Sequence, residues 1–277
     1  MKYKDIRKFS YKTERRIVNS KYFDMDNWLS NPYSCLKTRF YIEGASILVF
    51  FLQKTFIKPN WISFFYAFVG ILGGVCLSIK NDNIILLGLI IFFAKVAIDG
   101  ADGLLARVKY KATNLGSIID NWGGTIGEFS FLIGFGLYLY NFTDQTIYIY
   151  LTFLIIFLKS NDLKNYFFYS VAFSIYKQEP FIKEKSIQKK SRSNKIKKKY
   201  NLIKFFIQDI INYHAKTMDI ILLIILIEIN INKITFSFLF FHLFLLREIL
   251  IFLGGIYIIN NKNLTSNILK QKVKYKK

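Results

Sequence analysis

Acidic residues are scarce in this chain. Eighteen aspartates and glutamates face 39 lysines and arginines, which leaves a formal charge of +21. In 277 residues there are also only two cysteines, two histidines and three prolines. Cys35 and Cys76 lie far apart and belong to no metal-binding spacing, so a thiolate cluster is excluded and both read as ordinary thiols. His214 and His242 have no carboxylate or cysteine at ligand spacing and read as structural or interfacial. No apolar stretch of the signal-peptide kind occurs in the first forty residues, so the first membrane helix is expected to serve as its own insertion signal. Internal repeats are absent too.

Apolar residues are abundant instead. Hydrophobic residues make up 53% and aromatics 18%, and the mean hydropathy is +0.28. They lie in continuous blocks rather than at the helix or strand periods of a soluble domain. Apolar blocks with a basic excess fit a membrane protein with basic loops, not a nucleic-acid binder. Spanning the hydrocarbon takes roughly 20 mostly apolar residues as a helix. The expected fold is therefore all-α and polytopic, with about six transmembrane helices. They fall at 59–79, 83–98, 116–140, 145–158 with a second aromatic stretch to 176, 217–229 and 233–259.

Loop charge gives an orientation. Lysine and arginine concentrate before Pro59, at 107–111, at 183–199 and after Asn260, while the alternate loops are short and nearly neutral. An even number of spans with both termini in the cytosol satisfies this alternation. A multi-pass protein of a bacterial inner membrane is the expected setting. Residues 42–57 are apolar but short and broken by Lys54, which suits an interfacial helix, with a seventh span as the alternative. The expected organisation is a cytosolic segment over 1–57, a transmembrane domain over 58–260 with a basic loop at 177–204, and a basic tail over 261–277. Nine basic residues between Lys183 and Lys199 fix topology as a solvated loop and also suit anionic headgroups.

One acidic pattern carries chemistry. Asp99 and Asp102 sit three apart at the end of the second span, so on a helix both carboxylates share one face. Asp120 lies one turn into the third span, and the short loop between the spans makes their ends neighbours. Ionised carboxylates near hydrocarbon need partners, and a divalent cation is a natural one. An all-oxygen donor set suits Mg²⁺ or Mn²⁺, and Mg²⁺ completes its shell with substrate phosphates. Gly103 and Gly116 allow backbone and phosphate to approach. A lone DxxD is also what a solvated helix end looks like, so the weight rests on the whole spaced pattern.

That pattern, Asp99-x-x-Asp102-Gly103-x-x-Ala106-Arg107, eight residues, then Gly116-x-x-x-Asp120, resembles the signature of the CDP-alcohol phosphatidyltransferases. Pro59-Asn60-x-x-Ser63 is similar to the family's PNxxT. The resemblance implies transfer of a phosphatidyl or similar phosphoalcohol group from a CDP-alcohol donor to a lipid or small-alcohol acceptor, with release of CMP, in phospholipid synthesis. It implies Asp99, Asp102 and Asp120 as metal ligands, and Asn60, Ser63, Gly103, Arg107 and Gly116 at the donor. Arg107 either contacts phosphate or pairs with the aspartates. Homodimers are usual in the family, which leaves room for one here. The signature's last aspartate, metal ligand and base by resemblance, falls at Gly124. Glu128, one turn further on the same face, is the candidate substitute. It stands about 6 Å along the axis.

Lys159, Asp162, Lys164, Arg247 and Glu248 are candidates for an acceptor pocket, with interhelical pairing as the plainer reading. Adjacent Arg247 and Glu248 are expected to point to different sides and to need separate partners. Gly124 also opens a second reading, a non-catalytic membrane binding or scaffold protein. A prenyltransferase would need a second acidic motif and more spans, and a transporter would need matched halves. Neither pattern occurs.

Overall fold

The computed structural model describes residues 1–21, 32–161, 214–231 and 234–260. Eight helices and no strand occur among them. They are α1 (Tyr3–Lys21), α2 (Pro32–Leu52), α3 (Pro59–Leu77), α4 (Asp82–Val108), α5 (Asn114–Thr143), α6 (Ile147–Ser160), α7 (His214–Ile231) and α8 (Phe236–Asn260). The rest of the expected fourth span, the loop at 177–204, the tail, Asp162 and Lys164 lie outside the described residues.

The chain is an all-α polytopic membrane protein. Among the described residues, three helices are long and apolar enough to cross a bilayer: α3, α4, and α8 over Phe236–Tyr257. The expected third, fourth and fifth spans coincide with α5, α6 and α7. Of these, α5 carries Asp120 and Glu128, α6 has 14 residues, and α7 carries Lys216, Asp219 and Glu228. Polar groups or shortness thus set these three apart from the other spans.

The described residues form two compact units. The first contains α1 to α5, the start of α6, α7 and the first residues of α8. Within it α3 packs along both α5 and α4. The α3–α5 approach depends on glycine: a Cβ at Gly70 would stand 2.7 Å from Gly127 Cα, and one at Gly134 would stand 3.0 Å from Gly74 Cα. Small residues let helix backbones approach this closely. Between α4 and α5, Phe92 meets Phe131 edge-on at 5.4 Å, and Phe131 stacks on Phe135. At the N-terminus of α8, Glu228 accepts the backbone N–H groups of Phe236 and Ser237 at 2.6 and 2.8 Å. It thereby satisfies donors that helix geometry leaves unpaired. The second unit holds the remainder of α6 and α8, and with it Arg247 and Glu248.

Two turns set the site. Asn81 accepts from the N–H groups of Asn83 and Ile84 and so starts α4. At the other end Tyr110 takes a left-handed conformation (φ 54°) and Lys111 N–H donates to Ala106 C=O at 2.8 Å, which stops the helix. Thr113 then starts α5.

The amino-terminal part differs from expectation in extent. The expected interfacial helix over 42–57 is α2, which begins at Pro32 and ends before Lys54. Its polar half is helical because its charges have partners. Glu43 accepts from Arg7 Nε at 2.8 Å, Arg7 Nη2 at 2.6 Å, Tyr11 Oη at 2.8 Å and Tyr3 Oη at 3.2 Å. Those donors belong to α1, which hydropathy did not mark. Ile6 of α1 joins Ala45, Val49, Ile62, Ala101, Leu104 and Leu105 in one core, so α1 and α2 are packed onto α3 and α4.

Hydrogen bonding to Arg7 holds the Glu43 carboxyl below its ordinary value of 4.5. A depressed folded-state value adds stability above the unfolded value, and that contribution is lost as pH falls through the folded one. Amide hydrogen exchange in α1 is therefore expected to accelerate as pH drops below about 4.5 once intrinsic rates are corrected, and to be fast already at neutral pH in Glu43→Gln. Equal protection in both proteins at neutral pH would show that the cluster does not hold α1.

Candidate active site

Pro59 opens α3 behind an extended Lys58, a position where a missing N–H costs nothing. This places Asn60 and Ser63 on the first turn. Ser63 is buried, and its hydroxyl donates to one oxygen of Asp102, while the other oxygen accepts the Gly103 N–H. On α5, Thr113 Oγ1 accepts the Gly116 N–H at 3.0 Å. A Cβ at Gly116 would stand 3.4 Å from Asn60 Oδ1, so the starts of α3 and α5 meet there. Asp120, one turn on, is within electrostatic reach of Asp102 and Asp99.

Asn60, Ser63, Asp102, Gly103, Arg107, Gly116 and Asp120 all line one cavity of about 190 Å³. The Arg107 guanidinium lies over Gly103, its nearest nitrogen 3.7 Å from where a Cβ would stand. Arg107 Nε is buried without a hydrogen-bond partner. Every residue expected at the donor is thus gathered here.

Asp99 opens onto a second cavity of about 320 Å³, lined also by Lys37, Tyr66, Lys95, Gly124, Glu128 and Asp219. The Tyr66 hydroxyl lies within hydrogen-bonding reach of Asp99. Among the described residues it is also the sole group within 4 Å of a Cβ built at Gly124, at 3.9 Å. Position 124 therefore has room for a side chain. Glu128 lines the same cavity as Asp99 and Gly124.

The three aspartates share one end of the α3–α4–α5 group but not one pocket. Among the described residues, no three His, Cys, Asp or Glu side chains are close enough to hold a metal ion by themselves. The donor set nevertheless suits a hard cation. Mg²⁺ commonly takes one or two carboxylates and completes its octahedron with substrate phosphates and water. Asp102 and Asp120 offer such a pair on one cavity, and each Asp102 oxygen, with one hydrogen bond accepted, keeps a lone pair free.

Sequence reasoning missed two cations in the second cavity. Lys95 is only 6% exposed. Its ammonium sits 4.1 Å over the Tyr66 ring, in the slot left by Gly70 and Gly127, within electrostatic reach of Asp99 and Glu128. The available signal was its place four residues before Asp99 in an otherwise apolar run. Lys37 of α2 and Tyr33 both donate to Asp219 of α7. No local pattern announces that pairing, because 182 residues separate Lys37 from Asp219.

Of the expected acceptor residues, Lys159 belongs to α6 and Arg247 and Glu248 to α8. Arg247 and Glu248 pair with each other at 3.3 Å, and Arg247 also lies over the Phe244 ring. Lys159 is half-buried near the end of α6. His242 is exposed with its ring edge-on to Phe241, and His214 begins α7.

Residues 56–179 match the family model described as CDP-alcohol phosphatidyltransferase. A search of curated proteins found no match. The matched segment contains every residue that lines the first cavity. The match lends no support to the binding-scaffold alternative, since the family is one of transferases. Over the helices that build this site, the chain is similar to the CDP-alcohol phosphatidyltransferases.

Proposed function

We propose that the chain transfers a phosphatidyl or similar phosphoalcohol group from a CDP-alcohol to an acceptor hydroxyl, releasing CMP, at the cytosolic edge of the membrane. The observation that carries this reading is the single cavity where Asp102 and Asp120 face Asn60, Ser63 and Arg107. Asp102 and Asp120, with Asp99 behind them, would hold Mg²⁺ or Mn²⁺ against the donor's diphosphate. Such a cation supplies charge neutralisation on the departing phosphate and aligns the reacting phosphorus. Arg107 offers its unpartnered Nε to a phosphate oxygen, a charge-assisted bond. Asn60 and Ser63 lie at the start of α3 on the nucleotide's side.

An acyl-bearing donor is favoured by what lies next to this cavity. Leu48, Leu52, Trp61, Ile62, Phe65 and Ile98 line an apolar groove of about 650 Å³ that shares the first turn of α3. Acyl chains resting there would leave the headgroup at Asp102.

The acceptor enters the second cavity, beside Gly124. Its hydroxyl gives up a proton to Glu128 as its oxygen attacks the phosphorus that bears the donor alcohol. The bond from that phosphorus to the bridging oxygen breaks, and CMP leaves with the electron pair. Lys95 and Tyr66 flank Asp99 and keep it fixed between the two cavities.

Purified protein with Mg²⁺ or Mn²⁺ is expected to release CMP from a CDP-alcohol, and Asp102→Asn to lower that rate by at least about 100-fold, as loss of a metal-bound phosphate clamp does. Glu128→Gln is expected to lower kcat by about 100-fold or more, the usual cost of losing a general base. Adding Gly124→Asp should restore part of it, because the cavity wall is open at 124. Should wild-type protein release no CMP from any CDP-alcohol while Gly124→Asp alone does, the wild type is not a transferase.

A further inference from the structure

Glu14 lies on α1, well before the segment that matches the family. Ile6, Ser10 and Glu14 follow at four-residue intervals, and Ile6 and Ser10 are buried, so Glu14 continues the stripe that faces the protein. Its carboxylate meets Arg107 Nη2 at 3.6 Å, and the Glu14 side chain is 14% exposed. Tyr41 of α2 lies within electrostatic reach of Glu14, Arg107 and Asp99. The ring of Tyr41 also crowds Gly100, next to Asp99. Contacts upstream pin the helix: the Met1 amino group donates to Gln53 Oε1 at 2.9 Å, Gln53 Nε2 donates to Met1 C=O at 2.8 Å, and Arg7 clasps Glu43. The carboxylate is therefore presented to Arg107 by a fixed scaffold.

Among the described residues, Glu14 is the ion-pair partner of the Arg107 guanidinium. One terminal nitrogen faces Glu14, while Nε is buried with no hydrogen-bond partner in a side chain that lines the first cavity. A buried donor without a partner costs free energy unless a ligand supplies the acceptor. An arginine fork has several donors in fixed relation, so fixing one edge orients the others. We infer that Glu14 is a positioning residue of the donor site, holding the Arg107 guanidinium so that its remaining edge meets the diphosphate of the CDP-alcohol. This role rests on the transferase reading above. It makes α1, outside the matched segment, part of the binding apparatus.

The test is a double-mutant cycle on the full-length protein in detergent with Mn²⁺, read by calorimetric titration with CDP and by CMP release. Glu14→Gln is expected to weaken CDP binding and raise KM for the donor by about three- to tenfold, the scale of a part-buried ion pair, with kcat at saturating donor within about twofold. Glu14→Asp, which keeps the charge on a shorter arm, should fall between. In an Arg107→Gln background Glu14→Gln should add nothing, since it acts through the missing group. An equal cost in both backgrounds, or no cost in either, overturns the role. Tighter CDP binding by Glu14→Gln overturns it as well, for Glu14 would then compete with phosphate. Wild-type protein that neither binds CDP nor releases CMP would sink the transferase reading itself and this role with it. Activity and binding in the wild type with unchanged values in Glu14→Gln would sink only the role of Glu14.

Discussion

A carboxylate removed from water must be given donors or a counter-charge, and that requirement organises this chain. Each acid buried among the described residues has donors. Asp102 takes Ser63 and the Gly103 N–H, Asp219 takes Tyr33 and Lys37, Glu228 takes two backbone N–H groups of α8, and Glu248 takes Arg247. Two of these acids, Asp102 and Asp219, join elements far apart in sequence, so charge compensation also fixes tertiary structure. An unpaired buried charge would cost several kcal/mol, more than a helix contact recovers. Among the groups left with spare capacity, the Asp102 lone pairs and Arg107 Nε lie together where a substrate's phosphates would go.

The glycines of α3 and α5 make this arrangement compact. Without the close approach at Gly70 and Gly127, Lys95 would have no slot in which to lie against Tyr66, and Asp99 would lose its nearest cation. Packing, electrostatics and the shape of the second cavity thus share the same few residues. Small residues that bring helices together also admit the polar group that their contact would otherwise exclude.

What the sequence announced and what it hid divide along a physical line. The DxxDGxxAR pattern and Asp120 were legible because they sit on two consecutive helices joined by a short turn, where spacing fixes position. Pro59, Asn60 and Ser63 were legible for the same reason. Glu128 and Gly124 line one cavity, as residues four apart on a helix do, because helical periodicity does not depend on partners. Lys37, Asp219 and Glu14 were invisible because their partners are set by tertiary packing. The helix α1 was missed because its apolar stripe is thin and its stability comes from Glu43 on another helix.

The length of α4 has a further consequence. Its 27 residues extend about 40 Å, against a hydrocarbon layer about 30 Å thick. With its first turn at one boundary, the last two turns, which hold Asp102 and Arg107, emerge among the lipid phosphates on the opposite side. Under the proposed function, a lipid-borne donor would reach the reacting groups at the depth its own headgroup already occupies. Encounter would be lateral diffusion in a plane, with the acyl chains kept in the bilayer.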